Sequence, residues 1–117
     1  MRKRSFEKLL LEAVDDGLSS LGDSATYAIH FYLEKTFNIS KQDIPYKIEE
    51  FADGIEKIFG LGAKFLEILI MQQLYEKIGE VIEYPKHKEL VFIEYVAAAR
   101  QSFLKKKKQE EVQCAHI

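Results

Sequence analysis

The chain holds a single cysteine, Cys114, so no disulfide can form within it. Its fold has to stand on packing alone, which points to a reducing, cytoplasmic setting. Tryptophan is absent, and there are only two prolines and six glycines. That is too few for a low-complexity or linker-rich sequence. Long apolar runs are missing too. The longest, Phe65 to Met71, already contains Glu67, far short of the ~18 uninterrupted apolar residues a membrane span needs. After Met1-Arg2-Lys3-Arg4 the apolar stretch is broken by Glu12, Asp15 and Asp16, so no secretory leader is expected.

A charge surplus of one sign is also lacking. Seventeen Lys+Arg stand against nineteen Asp+Glu, for a net charge of −2. Dedicated nucleic-acid binders draw much of their affinity from phosphate neutralisation, and this balance argues against that role. The charges are unevenly placed, with Arg2 to Arg4 at one end, Lys105 to Lys108 near the other, and acids between.

What is present is helical periodicity. With 117 residues, 47% of them hydrophobic and 31% charged, the chain reads as one domain with its own core. Phe6, Leu10, Val14, Leu18 and Leu21 form a single helical stripe over about 5–21, with Ser5 as N-cap and Gly22 as C-cap. Gly17 weakens this segment by about 1 kcal/mol relative to Ala and allows a bend.

A second segment, from Asp23 or Ser24 to about Phe37, carries Tyr27, Ala28, Ile29, Phe31, Tyr32 and Leu33 and has little polar face. Such a helix is expected at the centre of a fold. Ser40 and Asp43 cap a short turn that Pro45 ends. A third segment covers about 46–59, with Ile48, Phe51, Ala52, Ile55, Ile58 and Phe59 opposite an acidic side. Gly60 and Gly62 mark a turn, and a fourth segment runs from Ala63 to Ile78, with Gly79 as its stop. Val81 to Tyr84 could be a short extended piece before Pro85. A fifth segment spans about 89–106. The expected fold is all-α, a compact bundle of about five helices occupying residues 1–104, with 105–117 a polar tail that frays.

No motif names a reaction. Gly60-Leu61-Gly62-Ala63-Lys64 lacks the spacing, the Ser/Thr and the preceding strand of a phosphate loop, and reads as a helix–helix turn. His30, with Glu34 one turn on, reads as a packed, hydrogen-bonded core residue. Cys114 and His116 lack companions for a metal site, and no Glu-x-x-His pair supports a di-iron bundle. No residue sits in a nucleophile setting. No catalytic, metal or cofactor-binding residue is therefore assigned, and the chain is expected not to be an enzyme. The Lys105–Lys108 run reads as a solvated helix end.

The fourth segment is apolar over more than one stripe. Phe65, Ile68, Met71 and Tyr75 lie on one side, and Leu66, Ile70, Leu74 and Ile78 on another. Either the helix is central and buries both, or the first four form an interface with a second copy or another protein.

Several phrases then line up: Leu18-Ser19-Ser20-Leu21-Gly22, Leu33-Glu34-Lys35, Ile44-Pro45, Ile58-Phe59-Gly60-Leu61-Gly62-Ala63, Leu74-Tyr75-Glu76-Lys77-Ile78-Gly79 and Glu94-Tyr95-Val96. Over roughly 14–100 the chain resembles the nitrosopumilus output domain family, number five of that series, a small helical domain of archaeal proteins. The resemblance implies an output or interaction module in archaeal signal transduction and brings no catalytic residues.

The expected function is thus a non-catalytic, homodimeric interaction module without membrane or cofactor. Two alternatives belong to other classes. One is a DNA-binding regulator using 23–37 and 40–60 as a helix-turn-helix-like unit, although the second segment is too apolar and the third too acidic for base readout. The other is a ligand pocket lined by Tyr27, His30 and Tyr32.

Overall fold

A computed structural model describes residues 5–82 and 91–115, with side chains in the last helix described as far as Lys108. Five α-helices follow in order: α1 (Phe6–Ser19), α2 (Asp23–Phe37), α3 (Ile48–Phe59), α4 (Ala63–Ile78) and α5 (Phe92–Ala115). Short 3₁₀ turns at Lys41–Tyr46 and Gly60–Gly62 flank α3. Among the described residues there is no strand, so the protein is an all-α bundle.

Local chemistry sets several helix ends. The Ser5 hydroxyl accepts a 3.1 Å hydrogen bond from the Lys8 backbone N–H at the start of α1, satisfying one of the donors that a first turn leaves open. Gly79 ends α4 in the left-handed region at φ 73°, where glycine carries no Cβ penalty. Ser40 donates to the Asp43 carboxylate at 2.8 Å as the first 3₁₀ turn begins. Other boundaries depart from the sequence reading. Gly22 caps the start of α2 at φ 96° rather than the end of α1, whose C-cap is Ser20. Pro45 lies buried inside the 3₁₀ turn, so α3 begins at Ile48.

The centre is α4. It packs against α1, α3 and α5 and buries Leu66, Ile70, Met71, Leu74, Tyr75 and Ile78. One stripe of α1, from Phe6 to Leu18, covers one side of it. Phe51 and Ile55 of α3 and Phe92, Val96 and Ala99 of α5 join the same core. The Lys77 ammonium meets the Asp16 carboxylate at 2.8 Å across the α1–α4 pair. Arg100 of α5 pairs with Glu7 of α1 and lies over the Phe6 ring, 4.6 Å from its centroid.

The expectation that α2 is central is overturned. Only Ile29 and Leu33 of its fifteen residues are buried. The segment joining it to α1 is short, and it lies on the outside, against α1 and α3. Its apolar girth therefore faces solvent instead of a second layer.

The region after α4 also differs. Val81 and Ile82 are neither helical nor extended strand, and the rest of the expected extended piece lies outside the described residues. The tail expected to fray from 105 continues α5 as helix to Ala115. Part of its basic run has a specific task. The Lys106 ammonium donates to the carbonyls of Ile78 (3.0 Å) and Gly79 (3.1 Å) and meets the Glu80 carboxylate at 3.0 Å. It thereby caps the C-terminus of α4, a neighbour, where a cation also suits the helix dipole.

Candidate functional site

The four residues proposed from sequence as an interface do not share a surface. Phe65 is 67% exposed and Ile68 is half-buried, whereas Met71 is fully buried and Tyr75 is 8% exposed. The Tyr75 hydroxyl donates to the Tyr95 carbonyl of α5 at 2.9 Å, and burial raises its pKa, with Tyr95 and Glu80 adding to the rise. Met71 and Tyr75 are therefore core residues. The cause is the central position of α4, whose neighbours cover Met71 and Tyr75 together with the second arc and leave Phe65 open.

An unclaimed apolar surface lies on α2. Tyr27 is 73% exposed, Phe31 54% and Tyr32 37%. At 3.6 residues per turn these three fall within an arc of about 140°, opposite Ile29 and Leu33. Tyr27 and Phe31, one turn apart, stack at 6.4 Å between centroids and 23° between planes. Lys35, one turn further, holds its ammonium 5.8 Å from the Phe31 centroid. Tyr32 meets Phe37 edge-on at 5.9 Å. Beside it, Ala28, Ile29, Tyr32, Lys57 and Ile58 line a shallow hollow of about 380 Å³ between α2 and α3. The result is a ridge of aromatic rings with a groove along one flank. Aromatic pairs add favourable geometry-specific energy to their area, and an amphipathic surface of this type suits a protein interface more than a reaction centre.

The sequence reading contained these residues but buried them. The available signal was that aromatics ring α2 on more than one side, which a peripheral helix can only expose.

His30 is packed, as expected, although its Nε2 has no hydrogen-bond partner among the described residues. The carboxylate near it is Asp15 of α1, at 3.9 Å, instead of Glu34. Burial holds the imidazole below its ordinary range. Asp15 pulls it back up, and Lys41, which pairs with Asp15 at 3.3 Å, pushes it down. Tyr27, His30 and Tyr32 do not converge on a pocket: the two tyrosines point outward and His30 sits against α1.

Gly60 to Gly62 form a helix–helix corner with Gly60 at φ 57°, and Leu61 is 97% exposed there. The solvent face of α3 carries Glu49, Glu50, Asp53 and Glu56, charges that repel a phosphate backbone. Among the described residues, no group of three His, Cys, Asp or Glu is placed to hold a metal ion. The Cys114 side chain and His116 lie outside the described part. No described helix is long and apolar enough to cross a membrane. Comparison with known families, curated proteins and solved structures finds no match.

Proposed function

We propose that the chain is a non-catalytic helical interaction module that forms a homodimer through the exposed aromatic ridge of α2. In this reading it serves as a cytoplasmic output or regulatory domain in archaeal signal transduction, the role implied by its family resemblance. The observation that carries the reading is the stacked pair Tyr27–Phe31, which stands in solvent on a helix with only two buried residues.

Contiguous apolar surface of this kind is uncommon on monomers and marks contact sites. Tyr and Phe are the residue types that dominate the centres of interfaces. A two-fold arrangement brings the same ridge to itself, so each copy can set its rings into the hollow beside Tyr32 of the other. The flanking Lys35 and Glu34 give such a pairing opposite charges at its rim.

Sedimentation velocity across the micromolar range tests this. The wild-type chain should sediment as a dimer, and the double variant Tyr27→Glu, Phe31→Glu should be monomeric at the same concentration. A wild-type chain that stays monomeric throughout, or a variant that dimerises equally well, overturns the proposal.

A further inference from the structure

A cavity of about 440 Å³ opens where α3, the start of α4 and the start of α5 meet. On one side it is walled by acids, Glu49, Asp53 and Glu56 from α3 and Glu67 from α4, and on the other by the apolar Phe92 and Ile93 of α5. Three of these acids lie at the solvent-exposed rim, where carboxylates are ordinary. Glu67 is different. It is only 5% exposed, and it is the one charged residue that is buried among the described residues. Its carboxylate makes no hydrogen bond or ion pair with another described residue, and its oxygens are not sealed off but reach the open space of the cavity. An acid with so little access to water and no partner is costly. Nothing in the packing of α4 calls for it, since a leucine or methionine would extend the apolar run from Phe65 to Met71.

We propose that this cavity binds a small primary alkylammonium cation, with the ammonium group on the Glu67 carboxylate and the hydrocarbon chain against Phe92 and Ile93. The charge of the lining matches such a ligand. Among the described lining residues four are carboxylates and one, Lys64, is a cation, a balance that favours a positive group inside. A metal ion suits the arrangement less well, because the acids are not gathered in any group of three that could ligate one. An ammonium needs only one buried acceptor and a negative surrounding, and its three donors can reach the rim as well. The apolar wall then contributes to the binding of the chain attached to it.

The cavity also predicts how binding responds to pH. Burial, and next the negative charge of Glu56, push the Glu67 carboxyl up to about 7, while Lys64 pulls it down. Glu49 and Asp53 face the same space from α3, and among the described residues the α5 side presents no charged group. A cation binds the ionised form. Its arrival therefore releases the Glu67 proton to the buffer, and affinity rises as pH passes through 7.

Titration calorimetry with n-butylammonium chloride tests the site on the full chain. For a group near 7, the ionised fraction grows about tenfold between pH ~6 and pH ~8, so the affinity of the wild-type protein should rise by about that factor. Glu67→Gln, which keeps the shape and removes the charge, should bind at least about tenfold more weakly at pH ~8 and lose the pH dependence. Absence of binding to wild type at millimolar ligand overturns the proposal. Equal binding by Glu67→Gln also overturns it, because it assigns the affinity to the rim carboxylates. Should the variant fail to fold, the carbon-13 shift of the Glu67 carboxyl in the wild-type chain decides. A titration midpoint lowered by butylammonium supports the site, and an unmoved midpoint rejects it. The outcome is independent of whether the chain dimerises through α2.

Discussion

Gly17 of α1 lies so close to Ile70 of α4 that a Cβ built on it would stand 2.7 Å from the Ile70 Cγ1, and within 3.5 Å of the Ile70 backbone. Helix α1 runs through Gly17 without interruption. The residue that looks like a weak point in the sequence is what lets the two central helices approach. Gly17→Ala gains about 1 kcal/mol of helix propensity, but overpacking of a filled core costs about 1–3 kcal/mol. Ile70 is fully buried and branched at Cβ, so it has little room to yield. The expected net result in chemical denaturation is a loss of about 1 kcal/mol. The double variant Gly17→Ala, Ile70→Ala should cost less than the two single changes together, since the second relieves the clash of the first.

Lys106 should matter more than its neighbours in the basic run. Lys106→Met removes the ammonium that caps the Ile78 and Gly79 carbonyls. With the side chain partly open to solvent, a loss of about 1 kcal/mol is expected. Lys105→Met, on an exposed position of the same helix, should stay within about 0.5 kcal/mol of wild type. Urea denaturation of both variants makes the comparison, and equal effects would remove the capping role.

Glu67 gives folding stability a defined pH dependence. Its folded pKa, about 7, lies above the unfolded value near 4.5. Between these the folded state holds more protons than the unfolded one, so its contribution falls as pH rises through this window and is smallest above it. Glu67→Gln should therefore be more stable than wild type at pH ~8, by about 1–2 kcal/mol once solvent screening at the open cavity is allowed for. The difference should shrink towards pH ~5. His30 acts oppositely: its lowered pKa means that stability is present above the ordinary histidine value and is lost on acidification. The difference between wild type and Glu67→Gln cancels that contribution. A constant difference from pH ~5 to pH ~8 would contradict the assignment.

The two sides of α2 should respond very differently to truncation. Leu33 is fully buried, and Leu33→Ala is expected to cost about 2–5 kcal/mol. Tyr27→Ser, on the exposed ridge, should change the stability of the isolated monomer by no more than about 0.5 kcal/mol while weakening self-association. Thermal unfolding at low and high protein concentration separates the two effects, because only a dimer shows a concentration-dependent midpoint.

Much of the architecture is a matter of neighbours along the chain. The stripe of α1, the Ser5 cap, the left-handed Gly79 and the full extent of α4 follow from spacing and backbone freedom over a few residues, and each can be read without knowing what the helix touches. The all-α class follows in the same way. The candidate sites belong to another level. Both α2 and α4 are apolar over a wide arc, and periodicity states how wide an arc is without stating what lies opposite it. Assembly surrounds α4 with α1, α3 and α5, turning Met71 and Tyr75 into core, and leaves Tyr27 and Phe31 of α2 in solvent. Glu67, one acid in a greasy stretch, becomes the unpaired wall of a cavity only when α3 and α5 close around it. Lys106 finds the end of α4 from 27 residues beyond Gly79. Burial is a property of the assembled packing, and a linear pattern carries only the capacity for it.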